Sequence, residues 1–493
     1  MTGKKALIIG SGIAGIAAAI RLAVKGYHVE VFEANSYPGG KISEFQQNGF
    51  RFDAGPSLFT MPQYVDELFE LAGKNPSDFF QYHKLNVICK YFYEDGSRLT
   101  AFAEEEKFLR EFTTLTGESS GSIKRYRQNS ERIYKITNNI FLQRSLHPFK
   151  TYLNTDALRA LFGFPRIDAF RTMHQANTSF FRDERLIQYA NRYATYNGSN
   201  PYEAPATLNI IPHLEQHFGA YFPDKGMYSI VTSLVQLAES LGVVFHYNSP
   251  VGEVILKNEQ ATSIRVKDEI IPGDVVISNM DVWFTYKKLL RSYPKLHPNK
   301  ILSQERSSSA LIFYWGIKKQ FSELDLHNIF FTANYKAEFE HIWKKQDIYH
   351  DPTVYLNISS KLKTDDAPSG CENWFVMINV PSNTGQNWDE LIRAAKANII
   401  KKLSRILGED ISELTVCESI LDPRSIETRT SSYQGSIYGT SSNNRYAAFL
   451  RHAIRSSKIK NLYFCGGSVH PGGGIPLCLL SAKIACSIIP QTP

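Results

Sequence analysis

Long apolar runs are missing from this chain. Outside the segment that opens it, no stretch of roughly eighteen apolar residues occurs, so no membrane-crossing helix is expected. Metal or dithiol cysteine spacing is missing too: Cys89, Cys371, Cys417, Cys465, Cys478 and Cys486 form no C-x-x-C pair. That argues against a zinc site or a redox dithiol, no metal site is expected, and a reducing cytoplasm is the simplest compartment. Strong charge is absent as well, with 55 basic against 48 acidic residues and a formal charge of +7 over 493 residues. Without a basic run there is no nucleic-acid footprint, although a mildly basic surface suits an anionic membrane. Internal repeats and low-complexity linkers are not found. Lys4 and Lys5 before an apolar run imitate a signal peptide, but cleavage there would destroy the glycine motif that follows.

Glycine, by contrast, is concentrated at both ends. "KKALIIGSGIAGIAAAIRLAVKGYHVEVFEANSYPGG" reads as strand, glycine turn, helix, strand, with Gly10, Gly12 and Gly15 forming G-x-G-x-x-G around Ser11 and Ala14. The first glycine permits the tight turn, the second lets backbone approach a pyrophosphate, and the third lets the helix pack on the strand. The next strand ends at Glu33, eighteen residues after Gly15. A carboxylate there can accept hydrogen bonds from both ribose hydroxyls of an adenosine. At the other terminus, "NLYFCGGSVHPGGGIPLCLLSAKIAC" holds five glycines within the nine residues from Gly466 to Gly474. Such density marks unusual dihedrals or close approach of backbone to a ligand.

Between these ends the chain visits two units alternately. "FRFDAGPSLFTMP" breaks a short strand at Gly55 and Pro56, ahead of Ser57, and "LNVICKYFYEDGSRLTAF" reads as a hairpin turning at Asp95-Gly96. From about 104 to 196 the pattern becomes helical and aromatic. At "FPDKGMYSIVTSLVQLAESLGVVFHYNSPVGEVILKN" the dinucleotide-type pattern returns, with Ile230, Leu234, Leu237 and Leu241 on one helix face. "SALIFYWGI" and "NWFVMINV" are expected strands, and "WDELIRAAKANIIKKLSRIL" an amphipathic helix. The expected fold is α/β, a Rossmann-like dinucleotide-binding domain over 1–83, 221–300 and 416–493, with a discontinuous domain of mixed sheet and helices over 84–220 and 301–415.

Together "GSGIAG", "FDAGPSLFTMP", "FFRDERLIQYANRYATYNGSNPYEAP", "FPDKGMYSIV", "VVISNMD" and "NLYFCGGSVHPGGGIP" resemble the bacterial-type carotenoid desaturases, the phytoene desaturase family, within the larger group of amine-oxidase and GDP-dissociation-inhibitor type flavoproteins. The resemblance spans nearly the whole chain. It implies that FAD is the cofactor, that Gly466, Gly467, Gly474 and Ile475 line its ribityl and flavin part, and that Gly10, Ser11, Gly12, Ala14, Gly15, Glu33, Gly40, Lys41, Gly55, Pro56, Ser57 and Val251 complete the site. Two departures matter. Related oxidases commonly carry arginine where this chain has Lys41, a point charge that cannot form a bidentate fork. Amine oxidases commonly lead their last strand into Gly-Asp or Gly-Glu, whereas here it leads into Gly467-Ser468, which favours the desaturase branch. Within that branch the N-terminal pattern is most similar to the hydroxycarotenoid 3,4-desaturases.

The implied reaction removes two hydrogens from an allylic C–C bond, for which the flavin supplies the hydride acceptor. Arg171 aligns by spacing with a family arginine near the flavin; it is too basic to act as a base and is expected either to hydrogen-bond an oxygen on the substrate end or oxidant, or to form a structural ion pair. His470 is expected to be a buried, hydrogen-bonded histidine holding its loop rather than the alternative, a catalytic one. Phe149, Leu161, Phe162, Phe164 and Phe170, with Lys150, Arg159 and Arg166 as rim, read either as a membrane-facing lid or as ordinary core. With no second dinucleotide motif after a strand, oxygen or a quinone is the expected electron acceptor. The expected partners are therefore a carotenoid and a membrane surface. Phytoene desaturase, flavin amine oxidase and prenyl-group binding protein are the alternatives.

Overall fold

The computed structural model describes residues 3–146, 163, 166–444, 446 and 450–492. Five parallel strands form one sheet in the spatial order Val244–His246, His28–Phe32, Lys5–Ile9, Val275–Ser278, Leu462–Phe464. Alternation along the strands separates its faces, as a two-residue period must. Ala6, Ile8, Val29, Val31 and Ile277 pack against the helices Ile13–Val24, Ser229–Ser240 and Ile475–Ser487. Leu7, Ile9, Phe32 and Val276 turn the other way, onto an antiparallel meander of Val251–Lys257, Gln260–Val266 and Glu269–Pro272. Ile230, Leu234 and Leu237 lie fully buried on the expected helix face.

A second sheet has seven strands, in the order Thr415–Leu421, Ser309–Ile317, Glu372–Val380, Val354–Asn357, His327–Phe330, Val87–Phe92, Arg98–Phe102. Only His327–Phe330 and Val87–Phe92 pair in parallel. One face is sealed by the helix Trp388–Leu407, through Trp388, Ile399 and Leu403. The edge strand Thr415–Leu421 lies in this sheet, beyond the boundary expected at 416; the chain rejoins the parallel sheet only at Leu462. A nine-residue strand, Ser309–Ile317, buried throughout, provides the pairing edge that draws the later segment in.

Arg51 joins the units. Its guanidinium contacts Glu44, Asp53 and Asp366, and Asp53 in turn accepts from the backbone N–H groups of Met227 (3.0 Å) and Tyr228 (3.1 Å). Burial opposes the Arg51 charge, but Asp53, Asp366 and Glu44 together outweigh it and raise its pKa above the usual arginine value. Thus "FDAG" and "FPDKGMY", distant in sequence, are one structural joint. The helical module includes Glu105–Thr116 and Ser120–Thr137, separated by Gly117 in the left-handed region and by Ser119, whose hydroxyl accepts from Ser122 N at 3.1 Å. Phe181 packs in the core against Tyr126, 5.1 Å between ring centroids. Phe149, Leu161, Phe162 and Phe164, with Lys150 and Arg159, lie outside the described residues. No helix among the described residues is long and apolar enough to cross a membrane.

Candidate functional site

Four strands of the parallel sheet end at one crevice, lined just past three of them by Gly10, Glu33 and Asn279 and two residues past the fourth by Gly466. Ligands of open α/β sheets bind in such a place, outside the carboxyl ends of the strands. The crevice opens into a cavity of about 760 Å³ that continues along the seven-stranded sheet. Two helices, Ile13–Val24 and Ile475–Ser487, begin on its wall at Gly12 and Gly474, and neither is capped by a side chain. Their first backbone N–H groups and positive dipole ends therefore favour negative charge.

The glycines have distinct duties. A Cβ on Gly15 would lie 2.2 Å from the Gly10 carbonyl, so this position permits the helix to dock on the strand end. Gly474 has φ of +101° and only open space where a Cβ would be. Between the two clusters stands Asn279, whose Nδ2 donates to the Cys465 carbonyl at 3.2 Å. Its Oδ1 would lie 2.5 Å from a Cβ on Gly12, and its Nδ2 would lie 2.6 Å from one on Gly466. Asn279 thus bridges the N-terminal and C-terminal clusters. It was not singled out from the sequence, although its place just after a strand of the dinucleotide unit was the available signal.

Of the expected site residues, Gly10, Gly12, Ala14, Glu33, Gly40, Lys41, Gly55, Pro56, Ser57, Val251, Gly466, Gly467, Gly474 and Ile475 line this cavity. Ser11 and Gly15 stand behind it. Ser11 donates to Glu33 Oε2 from both N and Oγ, each at 2.8 Å, while Asn35 N donates to Oε1 at 2.9 Å. The carboxylate is oriented by three donors and still faces the cavity. Lys41 donates to the Ile437 carbonyl at 3.3 Å, and burial lowers its pKa while Asp281 opposes that shift. His470 is buried, with Nε2 2.8 Å from the Arg144 carbonyl. Arg451 also lines the wall and donates to the carbonyls of Tyr438 and Thr440, each at 3.0 Å; burial pulls its pKa down to about 10.

Arg171 is placed elsewhere. It lies outside the main cavity, in a shallow neighbouring groove, and forks onto Asp168 at 2.6 to 3.1 Å. Its side chain keeps 46% exposure, so the ion-pair alternative describes it and the substrate-end contact does not. Asp168, three residues earlier, holds the guanidinium in an ion pair at 2.6 Å.

Deeper polar groups were missed. Glu215 accepts from Arg192 Nη2 (2.9 Å), Tyr193 OH (2.7 Å) and Tyr196 OH (2.5 Å). Arg192 is also surrounded by the rings of Tyr91, Tyr189, Tyr193 and Tyr196, a buried cage on the cavity wall. On the helix Tyr335–Glu340, Glu338 accepts from Thr353 N (2.9 Å) and Oγ1 (2.6 Å), and burial pushes its carboxyl up to about 7.

A glycine-lined clasp, two uncapped helix starts and an oriented acid at the end of the second strand match an adenine dinucleotide, and the free space beside Gly474 leaves room for its second ring system. These features define a flavin-dependent oxidoreductase with FAD as its cofactor. Residues 13–490 match the model of the flavin containing amine oxidoreductases, and the chain belongs to that family. It is 50% identical over 489 residues, 99% of both chains, to a 1-hydroxycarotenoid 3,4-desaturase of Flavobacterium sp. (strain P99-3). It is 33% identical, over 98% of this chain and 97% of the relative, to a 4,4'-diapolycopene oxygenase of Methylomonas sp.. In fold it is similar to a putrescine oxidase variant, with a TM-score of 0.64 at 15% identity over 99% of both chains. A Rab GDI from Plasmodium falciparum is also similar in fold, with a TM-score of 0.51 at 12% identity over 85% of this chain and 89% of that one.

Proposed function

We propose that the chain is an FAD-dependent carotenoid desaturase that introduces a C–C double bond, acting at the 3,4-position of an acyclic carotenoid end that carries a 1-hydroxyl. The observation that carries this reading is the continuity of one cavity from the glycine clasp onto an apolar sheet face, where Ala310, Ile312, Ile329, Phe375 and Met377 can flank a polyene. The half-identical desaturase narrows the substrate class. FAD, when bound, supplies a hydride acceptor, which an unactivated allylic C–H bond requires. The chain's own residues hold the cofactor, keep water from the hydrocarbon and align it. Gly12, Gly40 and Gly474 form the clasp, Glu33 takes the adenosine side, and the apolar floor orients the chain. The departing proton needs only a weak acceptor. Incubation of the flavoprotein with a 1-hydroxylated acyclic carotenoid and, separately, with phytoene tests the reading: the hydroxylated substrate gains conjugation and shifts its absorbance to the red. Efficient conversion of phytoene instead makes the enzyme an early desaturase.

Oxygen or a quinone reoxidises the flavin, and the protein is cytoplasmic and binds a membrane surface peripherally. Phe170 supports the membrane contact: it is 74% exposed and borders the cavity, and Arg166, four residues earlier in the chain, is also exposed. A carotenoid moving from bilayer to cavity gains almost nothing from the hydrophobic effect, since both media are apolar, so delivery rather than affinity demands such a contact. Phe170→Ser lowers co-flotation with anionic liposomes while the flavin spectrum stays unchanged.

A further inference from the structure

The face of the seven-stranded sheet that meets the cavity is apolar over most of its width, and His327 interrupts it. His327 is 3% exposed. Its Nδ1 lies 2.7 Å from Tyr355 OH and 3.2 Å from Asn357 Nδ2. The Asn357 amide is itself oriented, because its nitrogen also donates to the Leu326 carbonyl at 3.1 Å, an atom that can only accept. Asn357 therefore presents N–H to Nδ1, Nδ1 must accept, and the ring proton resides on Nε2. Burial, reinforced by the Arg192 charge, lowers the ring's pKa to about 3, so the imidazole is neutral at physiological pH. Among the described residues, this buried Nε2 has no hydrogen-bond partner.

A buried donor without a partner is costly, and such a group on a residue that lines a binding cavity indicates what the ligand carries. We propose that His327 is a specificity-determining residue whose Nε2–H donates to an oxygen on the carotenoid end, the 1-hydroxyl; this rests on the function proposed above. Nearby Arg192 donates from its two Nη atoms to Tyr196 and Glu215, which leaves only its Nε, enclosed by the tyrosine cage, without a partner among the described residues, and Arg171 lies outside the main cavity. Tyr355 OH lies 2.7 Å from Ser57 Oγ, which makes a relay from Ser57 through Tyr355 to His327. Ser57 belongs to the Gly55–Ser57 segment on the cavity wall, and Gly55 packs so closely on the Lys41 carbonyl that a Cβ would lie 1.9 Å from it. The relay thus ties His327 to the clasp side of the cavity. That is where a reader of C1 oxygen has to stand, because only C2 separates C1 from the C3–C4 bond that reacts.

The test uses the FAD-loaded protein and two ligands, a 1-hydroxylated acyclic carotenoid and the hydrocarbon lacking that oxygen, with equilibrium binding read from quenching of tryptophan fluorescence and turnover read separately. The wild type binds the hydroxylated ligand about tenfold or more tightly. His327→Leu abolishes that preference, chiefly by weakening the hydroxylated ligand, and His327→Gln, which keeps an amide N–H in the cavity, restores part of it. His327→Met fills the volume without a donor and decides the matter if the leucine variant folds poorly. A preference that survives in the donor-free variants overturns the proposal, as does a wild type that binds both ligands equally. A wild type that prefers the hydroxylated ligand without desaturating it leaves the subsite standing and overturns the assigned reaction.

Discussion

The two sheets meet the same cavity differently. The parallel sheet touches it with strand ends, so its contribution is backbone: glycines, helix starts and the oriented Glu33 carboxylate. The seven-stranded sheet touches it with a face, so its contribution is side chains: an apolar floor, His327, and beside them the Arg192–Glu215 pair. Backbone close to a dinucleotide leaves little room for variation, whereas a lined face changes its ligand by changing one side chain. That division fits a family described as flavin containing amine oxidoreductases whose model also matches this chain, half identical to a 1-hydroxycarotenoid 3,4-desaturase.

The comparison can be broken first at the clasp. Gly474→Val places a branched side chain at φ +101°, in the open space assigned to the cofactor. The variant is expected to purify without bound flavin, seen as loss of flavin absorbance; stoichiometric FAD would remove this glycine from the clasp. Next comes the side-chain wall. Glu215→Gln leaves the Arg192 charge buried without its carboxylate, an effect of about 3 kcal/mol or more in denaturant unfolding. Flavin binding to the folded fraction should persist, which separates the two regions.

A smaller effect is the pH response carried by Glu338. Its carboxyl is raised to about 7 in the folded chain, against about 4.3 when unfolded, so the native state holds the proton more tightly. The stability this contributes is fully present below the unfolded pKa and is lost as pH rises toward 7. Glu338→Gln should flatten that slope and raise the urea midpoint more at about pH 7.5 than at about pH 5. The smallest effect belongs to Arg171→Leu. Removing an exposed ion pair changes stability by about 1 kcal/mol or less. Discrimination between hydroxylated and hydrocarbon substrates should not move; a change in it would return Arg171 to the substrate site.

Legibility in the sequence follows the same division. Gly10, Gly12, Gly15 and Glu33 are bound to one another by a short strand, turn, helix and strand, so their spacing in the chain is their spacing in space. Asn279 stood inside the quoted "VVISNMD", but its bridging role escaped notice because the motif does not say which distant glycines its side chain meets. His327, on a strand, and Glu215, on the short helix Ile211–Gln216, escaped because a lone polar residue among apolar neighbours reads like any satisfied core group until its partners are known. Arg171 kept two readings because alignment by spacing does not reveal which nearby carboxylate, here Asp168 three residues earlier, the guanidinium pairs with.

By itself, the sequence determined the dinucleotide unit, the glycine clasp, the cofactor class and the resemblance to carotenoid desaturases, since each rests on local geometry that a few consecutive residues impose. Tertiary structure alone decided which sheet receives Thr415–Leu421, that Asn279 joins clusters at opposite ends of the chain, and that His327, a cavity-lining residue, keeps one buried ring nitrogen without a partner among the described residues. Those outcomes depend on which groups are left over after every strand has paired and every buried polar atom has sought a partner, a condition that exists only once the whole chain is folded.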